Sequence, residues 1–167
     1  MTEYWDIYDA IGEKTGKVLR SGDPIPEGAY HLAVAVWIGD SQGRWLISKR
    51  SPETSNGGVW QCTEGGVIAG EDSLTGALRE VQEELGVSLK PENGVLWHKY
   101  VWPHADSKGM IHYHTWVFRQ DVAIEQVVLQ PGETSDAMWA TPEEILELIR
   151  RKQFIPYDYL DRLFENA

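Results

Sequence analysis

Cysteine is nearly absent from this chain of 167 residues, in which Cys62 is the only one. A single thiol excludes an internal disulfide and fits a reducing cytoplasm. Long apolar segments are missing too, since no stretch approaches the roughly 18–20 apolar residues of a membrane span. The N-terminal residues MTEYWDIYD are acidic and lack the basic segment and apolar core of a signal peptide. These absences predict a cytoplasmic protein that makes no use of a membrane.

Basic residues are scarce, because 15 Lys and Arg stand against 26 Asp and Glu, for a net charge of −11. Nonspecific binding to long nucleic acid requires a basic face, so this charge argues against it. Small anionic substrates are not excluded, because metal ions can bridge an acidic site and a polyphosphate.

The length and the hydrophobic content of 42% suit one domain with a real core. We predict a single domain over residues 1–167, in which residues 1–28 form an N-terminal hairpin extension and a connector. Two short strands within residues 4–19 make the hairpin, and the proline- and glycine-rich residues 21–28 make the connector. The first strand carries aromatic residues that can pack on the domain or on a second subunit, so a homodimer is open. These residues are Tyr4, Trp5 and Tyr8.

The most informative stretch runs from Gly65 to Val87 and contains a predicted helix that ends near Leu85. Glu80, Glu83 and Glu84 stand at i, i+3 and i+4, so three carboxylates crowd one helix face. Like charges repel at this spacing, and the crowding is explained if a divalent cation lies among them. Oxygen ligands select a hard ion, Mg²⁺ or Mn²⁺. The apolar face of the helix consists of Leu74, Ala77, Leu78, Val81 and Leu85.

The ends of this helix carry residues that favour helix termination. Asp72 or Ser73 can serve as the N-terminal cap, and Gly86 suits a left-handed C-terminal cap. Gly65, Gly66 and Gly70 allow the preceding loop to turn tightly and to approach a ligand.

The same stretch matches the signature of the Nudix hydrolases, G-x5-E-x7-R-E-U-x-E-E-x-G-U, in which U is a bulky aliphatic residue. Seven positions demand one residue type, so a chance match is of order 10⁻⁸ per window. The chain therefore resembles the Nudix hydrolase family. The resemblance implies an α/β fold, namely a Nudix-type α/β/α sandwich with a mixed β-sheet between helices. The fixed positions fall on Gly65, Glu71, Arg79, Glu80, Val81, Glu83, Glu84, Gly86 and Val87.

The resemblance also implies a reaction and a metal site. The expected reaction is Mg²⁺- or Mn²⁺-dependent hydrolysis of the diphosphate linkage in a small nucleoside diphosphate derivative. By analogy with the family, Glu80 and Glu84 are the principal metal ligands. Glu83 and the Gly65 carbonyl join them as further ligands.

Two more motif residues are implied to support the metal ligands. Arg79 orients a neighbouring glutamate by charge-assisted hydrogen bonds, and Glu71 is a supporting carboxylate outside the helix. The expected catalytic set is Arg79, Glu80, Glu83 and Glu84.

Substrate binding and the general base are predicted from residues outside the motif. Arg50 ends a predicted strand and is either a phosphate contact or a solvated basic residue. Some Nudix enzymes take a glutamate from a later loop as general base, which makes Glu133 or Asp136 available beside Glu83. Taken singly, each of the two later residues is better interpreted as a solvated loop charge.

Two other functional classes remain open. Isopentenyl diphosphate isomerases share the fold, but they carry a catalytic cysteine where this chain has Glu64, and Cys62 lies two residues too early. A buried structural thiol is the better interpretation of Cys62. The other class is a non-catalytic Nudix module that binds a nucleotide as a sensor, although such modules often lose carboxylates that this chain keeps.

The substrate is the least determined part of the prediction. Pro103 lies sixteen residues after Val87, close to where ADP-ribose pyrophosphatases carry a proline. The surrounding Trp-Pro-His does not copy the loop of that family. An ADP-ribose-like substrate is therefore one option among nucleoside diphosphate derivatives.

Alternating and apolar patterns outside the motif predict further strands and helices. Thr141 precedes Pro142 and two glutamates and predicts a capped helix, and residues 157–164 predict a final amphipathic segment. His112 and His114 share one face of a strand and are interpreted as strand-surface residues rather than metal ligands. The predicted strands are 32–38, 44–50, 95–102, 110–119, 127–129 and 138–140.

Overall fold

The computed structural model describes residues 2–166 and contains nine strands and three α-helices within that range. The helices are α1 (Ser73–Leu85), α2 (Pro142–Arg150) and α3 (Leu160–Asn166). The strands are β1 (Tyr4–Tyr8), β2 (Lys14–Arg20), β3 (Tyr30–Gly39), β4 (Trp45–Arg50), β5 (Trp60–Gln61), β6 (Thr63–Gly66), β7 (Gly94–Pro103), β8 (Met110–Arg119) and β9 (Thr134–Ala140).

The nine described strands form one sheet in which β2, β1, β3, β4 and β5 follow one another. β6 and β8 also pair with β3, β9 pairs with β4, and β7 pairs with β8. The sheet is mixed and is accompanied by three helices, so the predicted α/β fold is confirmed.

Internal contacts group the chain into two compact units. The first holds residues 2–35, Glu64–Glu80 and Leu96–Trp116, and the second holds Val36–Thr63, Val81–Val95 and residues 117–166. Strand β3 and helix α1 contribute residues to both units. A single domain over the whole chain stays a prediction.

The predicted N-terminal hairpin is present as β1 and β2, which pair antiparallel with Tyr4 opposite Arg20. Tyr8 is buried and pairs with Tyr30, which attaches the hairpin to β3. Trp5 stacks on His31 with ring centroids 3.7 Å apart. Two of the three N-terminal aromatic residues therefore pack within the chain, and homodimerisation stays a prediction.

Strand β3 forms the centre of the core because nine of its ten residues are buried. This matches the prediction that an unbroken apolar run is covered on both faces. The indole Nε1–H of Trp37 donates to the Tyr159 hydroxyl at 2.9 Å, so the one polar atom of this side chain is satisfied. Helix α3 buries Leu160 and Leu163, as predicted for the final amphipathic segment.

The predicted strand at 127–129 is wrong. These residues follow a short 3₁₀ helix at Ile124–Gln126 and are not part of the sheet. The Val128 N–H donates to the Leu85 carbonyl at 2.8 Å, so the backbone bonds to the end of helix α1 instead of to a strand. The predicted strand at 138–140 is longer than expected, since β9 begins at Thr134.

Among residues 2–166, no helix has the length and apolar character needed to cross a membrane.

Candidate active site

Helix α1 carries most of the predicted site, and its sequence defines both of its ends. The Asp72 carboxylate accepts a hydrogen bond from the Thr75 N–H at 2.8 Å, so Asp72 and not Ser73 is the N-terminal cap. This bond lowers the pKa of the Asp72 carboxyl. Gly86 has a φ of 65° and forms the predicted left-handed cap at the other end.

The two faces of helix α1 divide as the residue periodicity predicts. Glu83 is exposed, whereas Glu80 and Glu84 are half-buried. The carboxylates thus lie off the apolar face, which leaves them available for chemistry. The fully buried residues of that face are Ala77, Val81 and Leu85.

Arg79 ties the helix to the loop in front of it. Its guanidinium donates to the Glu71 carboxylate at 2.9–3.2 Å, to the Glu80 carboxylate at 2.9 Å and to the Gly66 carbonyl at 2.8 Å. Burial lowers the pKa of Arg79, but the hydrogen bonds and charges of the two carboxylates outweigh it and hold the pKa above its ordinary value. A permanently charged arginine therefore joins two glutamates and the loop backbone, and its orienting role stays a prediction.

Gly65 lies directly against Glu80. A Cβ placed on Gly65 would collide with the Glu80 carboxylate, so no larger residue fits without displacing it. The absence of a side chain brings the loop backbone next to a predicted metal ligand, as the family resemblance implies for the Gly65 carbonyl.

The C-terminal end of helix α1 is covered by backbone. The Val128 N–H donates to the Leu85 carbonyl at 2.8 Å, and the Gln130 N–H donates to the Glu84 carbonyl at 3.2 Å. These bonds satisfy two of the carbonyls that a helix end leaves without internal partners. Residues 128–130 therefore hold the part of the helix that carries Glu84.

The predicted metal ligands fit a hard cation in donor chemistry, because all of them offer oxygen. Gly65 also lies against Glu80, so the backbone of one predicted ligand and the carboxylate of another are neighbours. Within residues 2–166, no three His, Cys, Asp or Glu side chains are arranged so that they could hold a metal ion. Carboxylates without a cation between them repel and are expected to separate.

Arg50 is held by neighbouring residues at the end of β4. Its Nε donates to the Ser55 carbonyl at 2.6 Å, and Nη1 donates to the Gln61 side chain at 3.0 Å. Arg50 is thus fixed by the loop that follows β4 rather than freely solvated. A phosphate contact remains a prediction, because a guanidinium has five N–H donors and these bonds leave some available.

The two later candidates for the general base lie near Arg50. Ser51 N–H donates to the Glu133 carbonyl at 2.9 Å, which fixes the turn before β9 against the end of β4. Asp136 pairs with Lys49 in the β4–β9 register, so it belongs to a strand and not to the predicted loop. Both carboxylate residues are exposed.

Sequence patterns missed the residues of the N-terminal hairpin that contact the loop before helix α1. The Asp6 carboxylate accepts from the Gly70 N–H at 2.8 Å, and the Tyr4 carbonyl accepts from the Ala69 N–H at 2.7 Å. The buried His31 side chain lies next to Gly66. A Cβ built on Gly66 would be 3.0 Å from the His31 Nε2. The signal in the sequence was the single carboxylate, Asp6, in a strand otherwise made of aromatic residues and Ile7.

The histidines of β8 are more enclosed than predicted. His112 is buried, its ring nitrogen Nε2 lies 2.8 Å from the Asp9 carbonyl, and the ring stacks on Tyr30. Burial and the neighbouring Lys99 and His112 side chains lower the pKa of His114 to about 4. The strand-surface interpretation is therefore wrong for His112, which is a packed residue.

The chain is similar along nearly its whole length to an uncharacterised Nudix hydrolase of Listeria monocytogenes. The two are 34% identical over 164 residues, which cover 97% of this chain and 94% of the relative. A crystal structure from Deinococcus radiodurans superposes with a TM-score of 0.69 at 23% identity and covers 98% of each chain. At that identity the structural likeness establishes the fold alone.

More distant relatives bear names from two kinds of chemistry. A CTP pyrophosphohydrolase of Escherichia coli K12 is 28% identical over 116 residues, covering 70% of this chain and 80% of the relative. An isopentenyl-diphosphate Delta-isomerase of Clavibacter sepedonicus is 27% identical over 150 residues, covering 89% of this chain and 78% of the relative.

The sequence model of the NUDIX domain matches residues 29–163. This range contains the complete signature and leaves the N-terminal hairpin outside. Together with the near full-length match to a Nudix hydrolase, it confirms the predicted family and enzyme class. The chain belongs to the Nudix hydrolase family.

Proposed function

We propose that this enzyme hydrolyses the diphosphate linkage of a nucleoside diphosphate derivative, with Mg²⁺ or Mn²⁺ as the cofactor. The observation that carries the proposal is the position of Glu80. Arg79 Nη1 donates to its carboxylate at 2.9 Å, and Gly65, which has no side chain, lies directly against that carboxylate. The family generally uses divalent cations, in line with this arrangement. The ligands would be Glu80, Glu83, Glu84 and the Gly65 carbonyl.

The bound cation would neutralise phosphate oxygens and lower the pKa of a water molecule. The residues of the chain contribute orientation. Arg79 fixes one oxygen of Glu80 and both oxygens of Glu71, so it limits the directions in which Glu80 can turn. A carboxylate oriented in advance loses less conformational entropy when it binds.

Arg50 is proposed to bind the substrate, and Glu133 is proposed as the general base. Arg50 would bind a phosphate oxygen through the N–H groups that Ser55 and Gln61 leave available. Glu133 would accept a proton from the attacking water, because it precedes β9 next to the end of β4. Asp136 and Glu83 are the alternatives for this role.

An ADP-ribose-like compound is the proposed substrate class to test first. Pro103 ends β7 and is exposed. Nucleotide pyrophosphohydrolysis is supported by the name of one relative, the CTP pyrophosphohydrolase of Escherichia coli. Nucleoside triphosphates therefore belong in the same screen.

The test is a phosphate-release screen over nucleoside diphosphate derivatives and triphosphates with Mg²⁺ or Mn²⁺, after treatment of the products with phosphatase. We expect hydrolysis that stops with EDTA and returns with either cation. Glu165→Gln, which removes an exposed carboxylate from α3, is the matched control and should leave the rate unchanged. Full activity of the metal-free enzyme would overturn the mechanism, and tight nucleotide binding without turnover would indicate a sensor module.

Isopentenyl diphosphate isomerisation is the second candidate, because one relative bears that name over 89% of this chain. The geometry of the only cysteine is unfavourable for it. Cys62 is fully buried, and its thiol lies 3.3 Å from the Tyr157 hydroxyl. Cys62→Ala should retain hydrolysis per folded molecule, whereas loss of an isomerase activity in this variant would favour the second candidate.

We also propose that residues 1–167 act as one domain, with residues 1–28 as its N-terminal extension, and that the enzyme is cytoplasmic. Tyr4 is half exposed on β1 and is the aromatic residue through which a homodimer could form. Sedimentation of the wild type beside Tyr4→Ser tests dimerisation.

A further inference from the structure

The N-terminal hairpin contacts the Nudix motif although it lies before the family domain. The domain match begins at residue 29, and β1 and β2 end at Tyr8 and Arg20. Nevertheless two consecutive N–H groups of the motif loop, those of Ala69 and Gly70, donate to β1 at 2.7 and 2.8 Å. We name residues 66–72 the Nudix loop.

The acceptors differ in kind at these two positions. Ala69 donates to a backbone carbonyl, that of Tyr4, which nearly any residue could supply. Gly70 donates to the side chain of Asp6, which only an acceptor at that position can supply. Gly70 has a φ of 88°, so this amide turns toward Asp6 in a conformation that L side chains rarely adopt.

Lys14 on β2 fixes the Asp6 carboxylate from the other side. Its Nζ lies 3.0 Å from the same Oδ2 that accepts the Gly70 N–H. Burial raises the pKa of the Asp6 carboxyl, but the Gly70 hydrogen bond and the Lys14 charge outweigh it and hold the pKa below its ordinary value. The carboxylate is therefore ionised at neutral pH and is not free to rotate away.

Glu71, the residue after Gly70, is bound by Arg79. Glu71 accepts from Arg79 with both oxygens, and it also accepts from the Ile68 N–H at 3.1 Å. Arg79 in turn donates to Glu80. Hydrogen bonds, together with the peptide bond between Gly70 and Glu71, thus connect the hairpin through the Nudix loop to a predicted metal ligand, and every member lies in the first compact unit.

We propose that Asp6 is a positioning residue of the active site, which sets the Nudix loop so that Glu71 and Arg79 hold Glu80 in its binding orientation. The inference rests on the proposed function only in its last step, the effect on metal binding and turnover. It makes the N-terminal hairpin part of the catalytic apparatus of this enzyme.

The experiment compares four variants of the full-length chain. Asp6→Ala removes the acceptor, and Asp6→Asn keeps an oxygen for Gly70 but loses the charge that attracts Lys14. Lys14→Met removes only the ion pair. Asp23→Ala is the matched control, because Asp23 also carries an N-terminal ion pair, and its described hydrogen bonds and ion pair join it to Arg20.

The first measurement is amide hydrogen exchange without metal. Asp6→Ala should speed exchange at Gly70 and at Ile68 by about tenfold, the effect of one lost hydrogen bond. Asp6→Asn and Lys14→Met should show smaller increases, and Asp23→Ala none. Exchange of the β1–β2 amides reports whether the hairpin itself stays folded. If the hairpin unfolds in Asp6→Ala, exchange at Gly70 and Ile68 in Asp6→Asn and Lys14→Met tests the proposal instead.

The second measurement is Mn²⁺ affinity by calorimetry, with kcat and KM on the substrate that the screen identifies. Asp6→Ala should weaken Mn²⁺ binding and lower kcat by about tenfold, the lower end of the range for residues behind metal ligands. KM should change little, and Asp6→Asn should restore part of kcat. Faster exchange at Gly70 with unchanged Mn²⁺ affinity and kcat would overturn the proposal and leave Asp6 a purely structural role.

Failure of the proposed function gives a different result. In that case the wild type binds no Mn²⁺ and turns over no substrate, and the exchange data alone judge the inference. Unchanged exchange at Ile68 in Asp6→Ala would then overturn it, because the loop would not transmit the loss to Glu71.

Discussion

The two sides of the Nudix motif are held by different kinds of interaction. On the loop side, Gly65–Glu80, charged side chains add to the backbone hydrogen bonds, with Arg79 between Glu71 and Glu80. On the C-terminal side, Glu83–Val87, backbone amides of residues 128 and 130 make the connections. A charge network depends on each side chain, whereas a backbone network tolerates substitution unless it requires a special conformation. Substitutions on the loop side should therefore lower turnover, whereas a backbone substitution on the C-terminal side should mainly lower stability.

The largest effect is expected for Glu84→Gln. This substitution changes the side chain proposed to bind the metal and keeps the backbone carbonyl that accepts from the Gln130 N–H. Turnover should fall by more than about 100-fold, because a neutral amide is a poor Mg²⁺ ligand. Loss of a residue that only hydrogen-bonds to a metal ligand typically costs about 10- to 100-fold. The metal-free protein should melt at the same temperature or slightly higher, since relief of repulsion is worth a few tenths of a kcal/mol. Hydrolysis rates at saturating Mg²⁺, beside melting without metal, check this. A much lower melting point with normal turnover of the folded fraction would make the acidic face structural.

Arg79→Lys tests the charge network on the loop side. Lysine keeps the charge but cannot bond Glu71 twice while also reaching Glu80 and Gly66. We expect about a 10- to 100-fold loss in kcat and a loss of about 1–3 kcal/mol in the free energy of unfolding. Kinetics and urea titrations measure the two effects. Wild-type kcat in this variant would show that the fork geometry of the arginine is not needed.

Gly86→Ala tests the backbone network on the C-terminal side. A Cβ there would stand 2.8 Å from the Val128 Cβ, and φ is 65°. The variant should lose about 1–2 kcal/mol of stability from the left-handed conformation, while the folded fraction keeps most of its turnover. If kcat falls as far as it does in Arg79→Lys, the proposed division between the two sides fails.

The last prediction concerns the pH dependence of stability and His31, the buried histidine next to the Nudix loop. Burial and the nearby His104 lower the pKa of His31 to about 3. The unfolded state, with a pKa of about 6.5, takes up a proton that the folded state refuses, so stability is complete above pH 6.5 and declines as the pH falls toward 3. The slope from this residue approaches about 1.4 kcal/mol per pH unit.

Urea titrations at pH 7, 6 and 5 measure that slope in the wild type and in His31→Phe. The variant should show the shallower dependence. His114, with its pKa lowered to about 4, titrates in the same window, so His114→Phe is the comparison that apportions the remainder. Equal slopes in the wild type and His31→Phe would show that His31 does not contribute.

Much of the fold could be predicted because local patterns coincide with tertiary burial. The apolar run predicted at 32–38 is buried in β3, and the strand predicted at 110–119 matches β8 residue for residue. The segment 127–129 was mispredicted because two valines resemble a strand wherever they stand. In the folded chain the Val127 N–H donates to the Ile124 carbonyl, and the Val128 N–H donates to the Leu85 carbonyl at the end of helix α1.

By itself, the sequence determined the family, helix α1 and its cap at Gly86, because each follows from residues adjacent along the chain or one helical turn apart. It also supplied the oxygen donors for a metal site. Only the tertiary structure decided that Asp6, 64 residues before Gly70, holds the Nudix loop, and that Arg50 is fixed by Ser55 and Gln61. Spacing along the chain carries no information on such contacts, since a hydrogen bond requires two atoms within about 3 Å and only the folded backbone brings them together.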